Sequence, residues 1–233
     1  MTIQRLRFRY ALEVDACALG QRELATAWQE ACALTGLTLA PLVGRRPSSQ
    51  IAIAAPLPRG VTSGCELVDI LLADAGPVEH ALARLAAHAP PGIELLAVEE
   101  VGPNSPSLQS QVRWAEYEAC VDGIDPAPLR RAISEMLDAK TLPSEYRREK
   151  KIREYDLRPL ILDLRLASRA KGKGYSLIVM RLRAEPERTA RADQVAAALG
   201  LPPTAEIRRT RLALEEVSTV LAAYRRAAQP EES

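Results

Sequence analysis

Hydrophobic and polar positions along this chain switch repeatedly between a period of two and a period near 3.6. From Leu6 to Leu12 apolar residues alternate with arginine (LRFRYAL), the pattern of a half-buried strand. Leu24, Ala27, Trp28, Ala31 and Leu34 then follow helical spacing over residues 20–34, and Gly36 stands where a C-terminal cap belongs. Residues 37–42 form a short extended piece. A strand over 50–55 is stopped by Pro56 and Pro58, and another follows at 66–72. Pro77 opens a helix to residue 89, ended by Pro90-Pro91-Gly92, and residues 93–101 close the unit as a strand.

After the turn-forming connector GPNSPS (102–107) the order recurs. Residues 111–121 alternate as a strand. Asp125-Pro126 caps and opens a helix to about residue 139. LRPLILDLRL within 151–166 reads as a strand, and KGKG (171–174) turns into YSLIVMRLR (175–183), the clearest strand in the chain. A helix over 191–199 ends at Gly200, a strand spans 205–214, and a final helix covers roughly 215–228. Two β-α-β-β-α-β units predict an α+β protein of two tandem ferredoxin-like sandwiches with a C-terminal helix, divided into residues 1–102 and 107–233.

Composition refines this picture only in places. The 233 residues are 47% hydrophobic and 26% charged, an ordinary globular balance, but only 4% aromatic. Cores must therefore rest on aliphatic residues, and base stacking on aromatics has few rings to use. No apolar run approaches the roughly 18 residues of a membrane span. The opening MTIQRLRFRY leads into no signal-like apolar segment, so a cytoplasmic protein is expected.

Charge is more informative. The net value is +1, yet residues 1–106 hold 8 basic against 11 acidic side chains, and residues 147–211 hold 17 against 8. Clustered guanidinium groups bind phosphate bidentately and release counterions. Arg147, Arg148, Lys150, Lys151 and Arg153 are therefore the leading candidates for binding RNA or phosphate, with Lys171 and Lys173 beside them. Glu145, Glu149 and Glu154 are interleaved, so a solvated, ion-paired hairpin is the plain alternative. Asp156 and Arg158, two apart on a predicted strand, would share one face as a pair or a clamp. Arg45 and Arg46 sit in the loop before the second strand, where an anion could bind, and Arg59 could join them.

Other chemistry finds no pattern. Cys17, Cys32, Cys65 and Cys120 are scattered, without zinc or iron–sulfur spacing, and read as reduced thiols. His80 and His88 have no acidic or thiol partner at ligand spacing and read as surface residues. KGKG leads into a strand, whereas a Walker loop opens a helix. No metal or cofactor is implied.

A family resemblance runs through most of the chain. RLRFRY, LTGLTLA, GRRPSSQIAIA and APLPRGVTSGCELVDI resemble the bacterial radical SAM-linked proteins, a domain of unknown function. REYDLRPLI (153–161) is similar to that family's Asp-Leu-Arg-Pro element, and RADQVAAALGLPP and AEIRRTRLAL resemble it further. Of the family's Ser-x-Gly-Phe-x-Pro-x-Pro loop, Gly44 and Pro47 are present, while Leu42, Arg45 and Ser49 depart. Gly20, Gln21 and Glu23 stand where the family carries Ser-His-x-Asp. The resemblance implies an accessory protein beside a radical SAM enzyme or an RNA-modification system, so RNA and a radical SAM protein are the expected partners. Two rival readings remain: an enzyme acting on RNA or a nucleotide, and a structural interaction domain.

Overall fold

The computed structural model describes residues 3–41, 50–102, 105–148, 151–167 and 175–215, with backbone alone at 146–148, 151–153 and 175. In the first half, strands β1 (Gln4–Leu12), β2 (Ile51–Ile53), β3 (Thr62–Leu72) and β4 (Ile93–Glu100) alternate with helices α1 (Gln21–Leu34) and α2 (Val78–Ala86). Spatially the strands run β4-β1-β3-β2, every neighbouring pair antiparallel. Leu6, Phe8 and Tyr10 of β1 oppose Ile70, Val68 and Glu66 of β3 and are fully buried beneath the helices. Trp28 of α1 meets Tyr10 edge-on, ring centroids 5.2 Å apart.

The second half comprises α3 (Leu108–Gln111), β5 (Val112–Asp122), α4 (Pro126–Asp138), β6 (Pro143–Arg148), β7 (Lys151–Asp156), β8 (Ile161–Leu166), β9 (Tyr175–Glu185), β10 (Arg188–Thr189), α5 (Ala192–Ala198) and β11 (Glu206–Leu214). Its main strands repeat the spatial order as β11-β5-β9-β8, again all antiparallel. The fold is therefore α+β, as the periodicities predict.

The halves do not form separate sheets. β11 pairs in parallel with β3 through Arg208↔Thr62 and Arg209↔Ser63, completing one nine-stranded sheet. The core of the second half likewise extends across the junction to Ala54, Ala55, Val61 and Leu67.

Three local differences from the sequence pattern have physical causes. Of the arginines in RLRFRY, Arg5 and Arg7 turn away from solvent, whereas Arg9 is exposed. Arg5 and Arg7 both bind Asp69, the shortest approaches being 2.5 and 2.8 Å. The connector lies over them, its Ser105 and Pro106 carbonyls accepting from Arg5. The strand predicted over 151–166 breaks, because Pro159 removes a ladder donor and a 3-10 turn (Arg158–Leu160) intervenes between β7 and β8. Among the described residues β6 and β7 pair only with each other, from Pro143↔Asp156 to Arg148↔Lys151, as a ribbon inserted between α4 and β8. The predicted final helix lies almost wholly outside the described residues.

Candidate nucleic-acid interface

On the helix-bearing side of the sheet, where the halves join, a cleft of about 710 Å³ opens. One wall is the Pro56-Leu57-Pro58 segment that leaves β2. The opposite wall combines the ribbon base (Glu154, Tyr155, Asp156) with Pro159, Leu160 and the 186–191 turn around β10, and Tyr117 of β5 also lines the space.

A buried ion pair fixes this geometry. Arg209 and Glu66 are each 1% exposed. Arg209 Nη1 donates to both Glu66 carboxylate oxygens at 2.8 and 3.0 Å. Its Nε and Nη2 donate to the Tyr117 hydroxyl at 3.1 and 2.8 Å, and Nη2 also donates to the Pro56 carbonyl at 2.8 Å. One guanidinium thus ties β11, β3, β5 and a cleft wall together. Burial alone would lower the pKa of Arg209; the Glu66 charge and the Tyr117 hydroxyl outweigh it, and the net shift is upward. Burial raises the pKa of Tyr117.

The ribbon base is equally tied down. The Tyr155 hydroxyl donates to Gln194 Oε1 on α5, and Gln194 Nε2 donates to the Glu145 carbonyl at 3.1 Å. Asp156 and Arg158 do not form the pair expected of a shared strand face, because Asp156 ends β7 and Arg158 begins the 3-10 turn. Asp156 Oδ1 accepts from the backbone N–H of Leu142 at 2.7 Å and of Arg158 at 3.0 Å. The Arg158 guanidinium donates to Leu137 O near the α4 C-terminus at 2.8 and 3.1 Å, satisfying a carbonyl that the helix itself leaves open.

Of the remaining sequence candidates, Arg147, Arg148, Lys151 and Arg153 occupy the outer half of the ribbon, in the pairs Tyr146↔Arg153, Arg147↔Ile152 and Arg148↔Lys151. Lys150, Lys171, Lys173, Arg45 and Arg46 lie outside the described residues. Arg59 is exposed and binds Glu23, whose carboxylate also accepts from the Gly20 N–H at the start of α1. Those two bonds hold the Glu23 carboxyl below the ordinary range, the backbone bond contributing most. His80 and His88 are exposed. All four cysteines are free, and burial pushes the Cys32 thiol up to about 11. Among the described residues no three His, Cys, Asp or Glu side chains converge as a metal site, and no helix is long and apolar enough to cross a membrane.

Sequence reasoning missed the Pro56–Pro58 wall, Tyr117 and the 186–191 turn. It also missed Glu66 and Arg209, although a signal was present. The signal lay at Glu66, which is in phase with the inward Val68 and Ile70, and an inward charge calls for a partner, here supplied by Arg209.

Fold and site together define an α+β protein with a cleft at a charged, buried junction and an inserted basic ribbon at its edge. Residues 5–192 match the family described as "Uncharacterized protein conserved in bacteria (DUF2344)", and the chain belongs to that family. No curated protein matches the chain. Among solved structures it is similar to a chain of "Crystal Structure of a Cbf5-Nop10-Gar1 Complex", with 12% identity and a TM-score of 0.42. That match covers 88% of this chain and 49% of the other, so the present chain spans about half its length.

Proposed function

We propose that this protein is an accessory RNA- or phosphate-binding protein whose second half carries the binding surface on the β6–β7 ribbon. The observation behind this reading is the placement of the basic cluster. Arg147, Arg148, Lys151 and Arg153 fall on a ribbon that, among the described residues, pairs with no strand of the main sheet, and acidic Glu145 and Glu154 are paired with each other nearer its base. A two-stranded ribbon with basic positions in its outer half suits a phosphate backbone, where cationic contacts supply affinity and fix register.

In this reading residues 1–102 and 107–233 are two ferredoxin-like units. The repeated strand order supports that division, and the first unit buttresses the second through β3–β11. We read the protein as cytoplasmic, and its resemblance to radical SAM-linked proteins supports partnership with a radical SAM enzyme or an RNA-modification system. A catalytic role for Asp156 has little to recommend it, since its Oδ1 already accepts two backbone N–H groups.

The test is fluorescence anisotropy of a labelled single-stranded RNA titrated with the full chain across a salt series. Affinity should fall linearly on logarithmic axes. The double substitution Arg147→Ala and Arg148→Ala should reduce the slope by about 1.4, two phosphate contacts at about 0.7 each. Absence of binding at low salt would refute the reading.

A further inference from the structure

The basic ribbon accounts for affinity toward a phosphate chain, but it leaves the cleft beside it without a role. The volume of about 710 Å³ lies within the roughly 300–1,000 Å³ usual for small-ligand sites. Rigid apolar groups make up much of its lining: Pro56 and Pro58 from the first half, Pro159 and Pro186 from the second, with Tyr155 from the base of the ribbon. Exposed charged groups also line it: Arg188, Glu154, Glu187 and Arg191, the last bound to Asp193. Tyr117 adds a buried hydroxyl. Two N–H groups of Arg209 already donate to its oxygen, so its remaining capacity is that of a donor.

A planar, apolar-faced ligand with mixed donors and acceptors on its edge fits this lining. The ribbon indicates where such a ligand would come from. Glu154 lines the cleft, and Lys151 is three residues further along β7, about 10 Å at the rise of a strand. A chain whose phosphates lie on the outer ribbon therefore passes the mouth of the cleft.

We propose that the cleft receives one unstacked base of a single-stranded RNA, held against the prolines of the lining and read at its edge by Tyr117 and the charged groups. The inference rests on the RNA-binding reading above and adds what the cleft does. Single-stranded RNA is generally recognised by splaying bases into such pockets, whereas duplex RNA is bound by its shape and backbone. A duplex of the same length should accordingly gain nothing from the cleft.

The experiment compares two 12-nucleotide single-stranded RNAs of equal charge, one with all its bases and one with stabilised abasic sites throughout, against the full chain. The base-bearing strand should bind about tenfold more tightly with the same salt slope, the size of one stacked base. Pro56→Trp and Thr189→Trp, exposed positions on opposite walls, should fill the cleft and abolish that preference while leaving the slope unchanged; circular dichroism checks their folding. The Arg147→Ala and Arg148→Ala double variant should do the reverse, lowering the slope and keeping the preference. Equal binding of the two strands by the wild type overturns the cleft proposal and leaves the ribbon reading intact. So does a preference that survives in either folded tryptophan variant, since the bases would then be held elsewhere. Failure of both strands to bind at low salt overturns the ribbon reading, and the cleft proposal falls with it.

Discussion

The most exacting test of the architecture is removal of Arg209. Methionine at this position keeps a similar length and an apolar stem but carries no charge. The substitution would leave the Glu66 carboxylate, 1% exposed, without its cation, and the Tyr117 hydroxyl and Pro56 carbonyl without their donor. Stranding one member of a buried ion pair typically costs about 3–5 kcal/mol. Against a usual domain stability of roughly 5–15 kcal/mol, that is a large fraction of the total. The double substitution Glu66→Leu with Arg209→Met removes the stranded charge as well. It should be the milder lesion, retaining only the cost of the unpaired Pro56 carbonyl and Tyr117 hydroxyl, about 1–3 kcal/mol.

Urea unfolding of the wild type, both single variants and the double variant measures this as a double-mutant cycle. The expected coupling between positions 66 and 209 is at least about 2 kcal/mol. The wild type should unfold in one transition, because the sheet and the second core run across the junction. A loss below about 1 kcal/mol for Arg209→Met would refute the assignment of this pair as the tie between the halves. So would additive single effects.

Further predictions follow from local geometry. Burial, reinforced by the Glu66 charge, holds the Tyr10 phenol well above its ordinary value, and burial also raises Tyr117. Folded pKa values above the unfolded ones mean that stability is intact below about pH 10 and is lost as pH rises beyond it, which a urea midpoint series from pH 8 to 11 should record. Among the described residues the buried Tyr10 hydroxyl, beside Trp28, makes no well-formed hydrogen bond, so Tyr10→Phe should leave neutral-pH stability within about 1 kcal/mol and soften the alkaline loss. Asp156→Ala should lower stability by about 1–3 kcal/mol, since two backbone N–H groups lose their acceptor, and Asp156→Asn should recover part of it in thermal unfolding. Gly92 has φ +76° and a Cβ there would stand 2.6 Å from the Ala16 nitrogen, whereas Gly200 at φ +75° has open space. Gly92→Ala should therefore cost clearly more than Gly200→Ala, for which only the left-handed backbone penalty of about 1–2 kcal/mol applies.

Periodicity carried most of the element order, because strands and helices write their burial directly into residue spacing. The alternation in LRFRYAL and YSLIVMRLR and the helical spacing of Leu24, Trp28 and Ala31 correspond to β1, β9 and α1. Pairing between distant strands leaves no comparable mark. Nothing local to AEIRRTRLAL says that β11 lies beside β3, 143 residues from Glu66 to Arg209. Adjacent arginines in that strand look alike in sequence. The pleat sends Arg208 outward to the half-exposed Glu13, and Arg209 inward to Glu66. A count of basic residues treats both as surface charge, so the electrostatic asymmetry of 147–211 overstates the free charge of the second half.

Several arginines of the second half are likewise engaged within the protein. Arg158 is committed to Leu137 and Ile161, Arg181 to Glu116, Arg183 to Glu185, Arg191 to Asp193 and Arg209 to Glu66. Arg181 and Arg211 also stack on the Trp114 ring, 4.7 and 5.0 Å from its centroid. Arg158, Arg181 and Arg209 join separate elements, whereas Arg183 and Arg191 pair two residues along the chain. Engaged in this way, these arginines offer less free charge to an external anion than their number suggests. The same Arg209 that fixes the Pro56 wall and Tyr117 also joins the halves, so cleft geometry and fold stability have a common origin. Substitutions at the junction should weaken both together, whereas substitutions on the ribbon should change binding and leave stability nearly untouched.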